Sequence, residues 1–90
     1  SQCATYRILG EHTDGGFAEY VAVAEDRAYV LPDAMPFEEA AALPISYQTA
    51  WRALVSRARL RPGEDVLVIG ASGGTALAAV QIALLAGARV

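Results

Sequence analysis

Val66-Leu67-Val68-Ile69-Gly70-Ala71-Ser72-Gly73-Gly74-Thr75-Ala76-Leu77-Ala78-Ala79-Val80-Gln81-Ile82-Ala83-Leu84-Leu85-Ala86-Gly87-Ala88-Arg89-Val90 is the stretch on which the fold turns. No charged residue occurs between Val66 and Ala88, and by length alone this apolar run would suit a membrane-crossing helix. Its glycines argue otherwise. Gly70, Gly73 and Gly74 cluster around Ser72 and would weaken any single helix drawn through them. The stretch divides instead into four pieces. A β-branched run at 66–69 reads as a strand, the glycines as a tight turn, and the Ala/Leu-rich segment 75–86 as a helix. Gly87 stops that helix, and a second strand begins near Arg89. Strand, helix and strand in this order predict the opening βαβ of a parallel sheet, and hence an α/β protein.

Three chemistries fit the turn. A strand feeding directly into a helix aims the helix's free N–H groups at whatever sits above it, and phosphates bind there. Gly73 and Gly74 would let a pyrophosphate approach the backbone, with Ser72 and Thr75 adding hydroxyl donors. Against the dinucleotide pattern G-x-G-x-x-G, Ala71 to Ala76 places alanine at the first and third glycine positions; only the second substitution is within the usual pattern. The same residues also spell G-x-S-x-G, the nucleophile elbow of a serine hydrolase with Ser72 as nucleophile. A triad of that kind runs Ser, acid, His along the chain, whereas the one histidine, His12, lies upstream of Ser72. The third reading is a turn that only packs helix against strand.

Working outward, Tyr47, Ala50, Trp51, Leu54, Val55 and Ala58 fall at helical spacing and predict a helix over 46–58. Before it, Pro36, Glu38 and Glu39 open a helix that Pro44 is expected to break or kink. Alternation at 17–23 predicts a half-buried strand, and 28–31 a second that Pro32 ends. Asp14-Gly15-Gly16 and 33–36 read as turns, and residues 1–16 as loop. Arg57, Arg59 and Arg61 crowd a helix end, where cations are favoured by the negative terminus.

Composition narrows the classes. The chain has 90 residues, 54% hydrophobic and 19% charged, so it is neither a disordered tail nor more than one small domain's worth of sequence. Its net charge of −3 argues against nonspecific contact with nucleic acid or an anionic membrane. The single cysteine excludes a disulfide scaffold and a self-contained zinc finger within these residues. The N-terminal residues lack the basic and then apolar layout of a signal peptide. The chain opens on Ser1 and closes on Gly87-Ala88-Arg89-Val90, which leads us to expect a piece of a larger protein.

Several segments together resemble the zinc-type medium-chain alcohol dehydrogenase and quinone oxidoreductase family. They are Ile8-Leu9-Gly10-Glu11-His12, Gly15-Gly16-Phe17-Ala18-Glu19-Tyr20, Pro36-Phe37-Glu38-Glu39-Ala40-Ala41-Ala42-Leu43-Pro44, Tyr47-Gln48-Thr49-Ala50-Trp51, Leu60-Arg61-Pro62-Gly63-Glu64-Asp65-Val66-Leu67-Val68 and the glycine turn with its helix. The resemblance implies that residues 1–44 end a GroES-like β catalytic domain. Residues 45–90 would then be a linking helix and the first βαβ of a Rossmann domain. It implies hydride transfer between NADP or NAD and an alcohol, carbonyl, quinone or enone, in a cytoplasmic homo-oligomer that acts on a small molecule and neither nucleic acid nor membrane.

For single residues, the resemblance makes Ala71, Ser72, Gly73, Gly74 and Thr75 the pyrophosphate turn and sets Thr49 near the nicotinamide. Thr49 by itself could equally be a helix hydroxyl bonding the preceding turn. Many relatives have valine and glycine where Thr75 and Ala76 stand; the extra methyl of Ala76 would push the turn outward, and the Thr75 hydroxyl offset that. Cys3 fits the last cysteine of the family's structural zinc lobe. Ile45 stands in a region where several zinc enzymes carry a ligating cysteine, and isoleucine binds no metal. The resemblance then implies either a parent without catalytic zinc, as in the quinone reductase branch, or another ligand, for which His12 is the one candidate here; a lone histidine by itself reads as a loop or substrate-pocket residue. The isolated 90-residue chain is expected to be inactive.

Overall fold

A computed structural model of the protein describes residues 5–90, and its contacts divide the chain into two units at Val30/Leu31. The first unit holds a tight turn, in which the Gly10 N–H donates to the Thr13 carbonyl at 3.0 Å and the His12 N–H to the Ile8 carbonyl at 3.0 Å. A short 3-10 turn follows at Glu25–Arg27. The strands expected at 17–23 and 28–31 are not formed; among the described residues of this unit the only pairing is an isolated bridge between Leu9 and Thr13. The reason is physical. A strand satisfies its backbone only through a neighbour, and within the described residues neither segment is bridged to another.

In the second unit, helix α1 spans Phe37–Trp51 with Pro36 as its N-cap. The expected break at Pro44 does not occur; the helix continues through it. Proline costs a helix interior about 3 kcal/mol, because it offers no N–H and its ring crowds the preceding turn. Here the next turns are held from outside, since Tyr47, Ala50, Leu54 and Val55 pack with the second helix, α2, over Gly74–Leu85. The helix expected over 46–58 is therefore the second half of α1 plus a π-helical turn, Arg52–Arg57. In that wider turn the Ala58 N–H reaches the Ala53 carbonyl at 2.9 Å, and the Leu60 N–H reaches the Leu54 carbonyl at 2.9 Å.

Arg59, with φ 55°, ends the π-helical turn in the left-handed region, where a Cβ is unfavourable. Arg59→Gly should accordingly stabilise the protein by about 1 kcal/mol. A melting temperature that falls on this substitution would show that the arginine side chain outweighs its strained backbone.

Helix α2 has 12 residues, or about 18 Å at the usual rise. No helix among the described residues is long and apolar enough to cross a membrane. The stop at Gly87 has its full geometry. Gly87 has φ +77°, its N–H donates to the Leu84 carbonyl at 2.9 Å, and the Ala88 N–H donates to the Ala83 carbonyl at 3.0 Å. These are the two bonds of a Schellman cap, and the accompanying apolar contact is supplied by Ala83 and Ala88, both buried.

From this cap the chain turns back beside residues 64–66. The Arg89 N–H donates to the Glu64 carbonyl at 2.9 Å and the Val66 N–H to the Arg89 carbonyl at 2.8 Å, a parallel bridge between Asp65 and Arg89. The expected strand 66–69 is corrected to this one bridge. In its register, 67–69 fall opposite positions past Val90. The side chains repeat the pairing: Arg89 Nε and Nη2 donate to the two Asp65 carboxylate oxygens at 2.7 and 2.9 Å.

Arg89's hydrogen bonds hold the Asp65 carboxyl below the usual aspartate range, slightly opposed by desolvation. A depressed folded value means that the pair supports the bridge above the ordinary aspartate range and loses that support as pH falls through the depressed value. An NMR titration should find Asp65 titrating below an unpaired aspartate, and Arg89→Gln should return it to the ordinary range. An identical midpoint in both proteins would mean that the pair does not form in solution.

The core of the second unit lies between the helices, with Ala50, Ala78 and Ile82 at its centre. Ser46, Ala50 and Leu54 along the first helical run, and Gly74, Ala78 and Ile82 on α2, each recur every fourth residue. Small side chains at facing positions let two helices approach closely.

Candidate dinucleotide-phosphate site

The turn that precedes α2 is built from its glycines. Gly70 takes φ +77°, and the Gly73 N–H donates back to the Gly70 carbonyl at 3.0 Å, closing a turn over Ala71 and Ser72. Gly73 is the N-cap, extended at φ −83° and ψ 148°, and its carbonyl accepts the Leu77 N–H at 2.8 Å. The N–H groups of Gly74, Thr75 and Ala76 then have no carbonyl one turn earlier to bond. A glycine N-cap has no side chain to bond them either. All of 71–75 is exposed. An exposed, uncapped helix start carries partial positive charge and suits an anion, and a pyrophosphate fits the donors present.

The two glycines of the turn serve different ends. A Cβ on Gly73 would meet only the Gly70 carbonyl oxygen at 3.5 Å, an ordinary contact. A Cβ on Gly74 would come within 2.9 Å of Ser46 Oγ on α1. A side chain at Gly74 would thus crowd the facing helix, whereas one at Gly73 would not. The glycine motif gives no hint of Ser46. Its signal lies elsewhere in the sequence, in the small-residue spacing of Ser46 with Ala50, which mirrors Gly74 with Ala78. Thr49 is exposed on α1, one turn beyond Ser46 and on neighbouring helix surface.

The hydrolase geometry is not formed. A nucleophile elbow holds its serine in strained backbone, whereas Arg59 is the only non-glycine with positive φ among the described residues. His12 lies in the first unit. Its Nδ1 accepts the Ile8 N–H at 3.2 Å, and its ring stands edge-on to Tyr6 with centroids 5.9 Å apart. A histidine that ligates a metal through Nε2 ordinarily donates from Nδ1, so a metal on His12 would have to break this bond. Among the described residues no group of three or more His, Cys, Asp or Glu could hold a metal ion. Those described residues do not by themselves make up a zinc site. Cys3 lies outside the described residues, and Ile45 is exposed on α1.

No protein-family model matches the chain. Individual proteins do. The quinone oxidoreductase of Mus musculus is 53% identical over 76 residues, which are 84% of this chain and 23% of that protein. A crystal structure of an NAD-dependent alcohol dehydrogenase superimposes with a TM-score of 0.90 at 50% identity, covering 98% of this chain and 26% of that one. The quinone oxidoreductase from Thermus thermophilus, whose structures include a complex with NADPH, gives a TM-score of 0.76 at 49% identity over 84% of this chain and 25% of that one. The chain thus spans about a quarter of the length of the relatives it matches. Over that span it belongs to the medium-chain dehydrogenase/reductase family, with quinone oxidoreductases and alcohol dehydrogenases as its homologues.

Proposed function

We propose that this chain supplies the dinucleotide-phosphate turn of a longer NAD(P)-dependent oxidoreductase. The observation that carries the reading is the uncapped start of α2, with 71–75 exposed above a closed glycine turn. The backbone N–H groups of Gly74, Thr75 and Ala76 hold the pyrophosphate, and the Ser72 and Thr75 hydroxyls add donors. Gly73 keeps the approach open. Thr49 contributes its hydroxyl beside the nicotinamide. The cofactor supplies the hydride when bound; the chain's own part is to bind and orient.

Both cofactors have support among the relatives, one described as NAD-dependent and one bound to NADPH. The substrate is a small alcohol, carbonyl, quinone or enone. Residues 1–44 close a GroES-like β domain, and residues 45–90 begin a Rossmann domain. The longer protein is a homo-oligomer of the cytoplasm. Its affinities for NADPH and NADH, measured by titration of nicotinamide fluorescence, test the reading; binding of neither overturns it.

Ser72 separates this reading from the hydrolase. In the longer protein Ser72→Ala should leave hydride transfer within about tenfold, the worth of one hydrogen bond to a charged group. Covalent labelling of Ser72 by a fluorophosphonate would reverse the assignment.

A further inference from the structure

On one flank of the paired helices, Tyr47, Gln48 and Trp51 of α1 stand across from Gln81, Ile82 and Leu85 of α2, with a groove of about 470 Å³ between them. The two walls are tied together, because the Tyr47 hydroxyl donates to the Gln81 side-chain carbonyl oxygen. Tyr47 also packs against the helix core of Ala50, Ala78 and Ile82, so the groove is already formed in this chain. None of the six lining residues is charged. Yet Trp51 is 56% exposed and Leu85 89% exposed. A tryptophan and a leucine left in water along one groove make an apolar patch of the kind that a partner covers.

Size and length identify the occupant. A stable interface between separate proteins takes about 20–30 residues a side, far more than this groove offers. A segment of the same polypeptide needs less, since the shared chain holds it near the groove at a high effective concentration. Such chain exists in the relatives: these residues span about a quarter of their length, so most of a longer polypeptide lies outside them. We infer that the groove is the docking site for an uncharged, apolar segment of that same longer polypeptide, which seats aliphatic side chains between Trp51 and Leu85. With its oxygen engaged by Tyr47, the Gln81 amide has N–H groups to donate to a backbone carbonyl of the segment. The inference rests on the longer protein of the function proposed above, but not on its cofactor site.

In the longer protein, Leu85→Cys should react with a maleimide at least about tenfold more slowly than the same cysteine after unfolding in urea, followed at that site by peptide mass spectrometry. The protection should hold on dilution and with or without NADPH, because a tethered occupant is insensitive to both. Trp51 gives a second reading with Leu85 intact: the emission lost in Trp51→Phe should be blue-shifted and poorly quenched by acrylamide. A Leu85→Cys rate near its unfolded value would overturn the inference, as would Trp51 emission quenched as freely as in urea. Protection that fades on dilution would give the groove to a second copy, and protection that requires NADPH would give it to a ligand; either result also overturns it. If Leu85→Cys does not fold, the Trp51 emission decides alone. A longer protein that binds no dinucleotide yet protects position 85 would reject the proposed function and uphold the docking, so the two failures are distinct.

Discussion

Gly73→Val should weaken both NADPH and NADH tenfold or more in the proposed longer oxidoreductase, equivalent to about 1.4 kcal/mol. The geometry makes this a test of ligand approach and not of folding. Gly73 has φ −83° and ψ 148°, a conformation open to valine, and an added Cβ there meets nothing nearer than the Gly70 carbonyl oxygen at 3.5 Å. The branched side chain would instead stand over the N–H groups of the first turn of α2, where the proposed function requires a phosphate to come within hydrogen-bonding distance. Equilibrium titration with each cofactor checks it, with melting temperature as the control on fold. Unchanged affinity in a folded variant would remove the turn from the binding site.

The 90 residues alone should not melt as a single cooperative unit. Among the described residues the buried apolar ones are Ala50, Ala78, Ile82, Ala83 and Ala88, so Ile82 is the one large side chain inside. Meanwhile Phe17, Val30, Leu67, Ile69 and Leu85 are each more than four-fifths exposed. Burial of apolar surface does most to offset chain entropy, and chains this short have little to spare even when complete. Purified alone, the chain should give a broad thermal transition, bind an apolar dye, associate through its exposed apolar side chains and show no turnover. A sharp transition in a monodisperse monomer would show that these residues make a sufficient core.

Signals proved readable wherever their physics is local. The glycine turn, α2 within one residue at each end, and the stop at Gly87 all follow from residues within one or two turns of each other. Pro44 does not end α1, because proline's penalty is local, whereas the packing of Tyr47 and Ala50 against α2 is not. The alternation at 17–23 signals a face to be buried, but pairing needs a second chain segment that composition cannot supply. Of the candidate site, the donors at 71–75 are legible as a helix start. The crowding of Gly74 is not, since it depends on the Ser46 oxygen, far away in sequence on the facing helix.

The Asp65–Arg89 clasp bears on the order in which the chain acquires structure. Its partners are 24 residues apart, and α2 occupies half of the loop they close. A flexible loop of that length is costly to close, but a preformed helix shortens the segment left to search. Helix elongation is fast compared with strand pairing. The second unit should therefore nucleate on α2, with its glycine cap turning Arg89 back toward Asp65 before α1 docks. The glycine turn at 70–73 would then be set early, before the two helices pack. Destabilising the Gly87 cap should slow folding, whereas truncating the exposed Trp51 of α1 should leave the folding rate nearly unchanged.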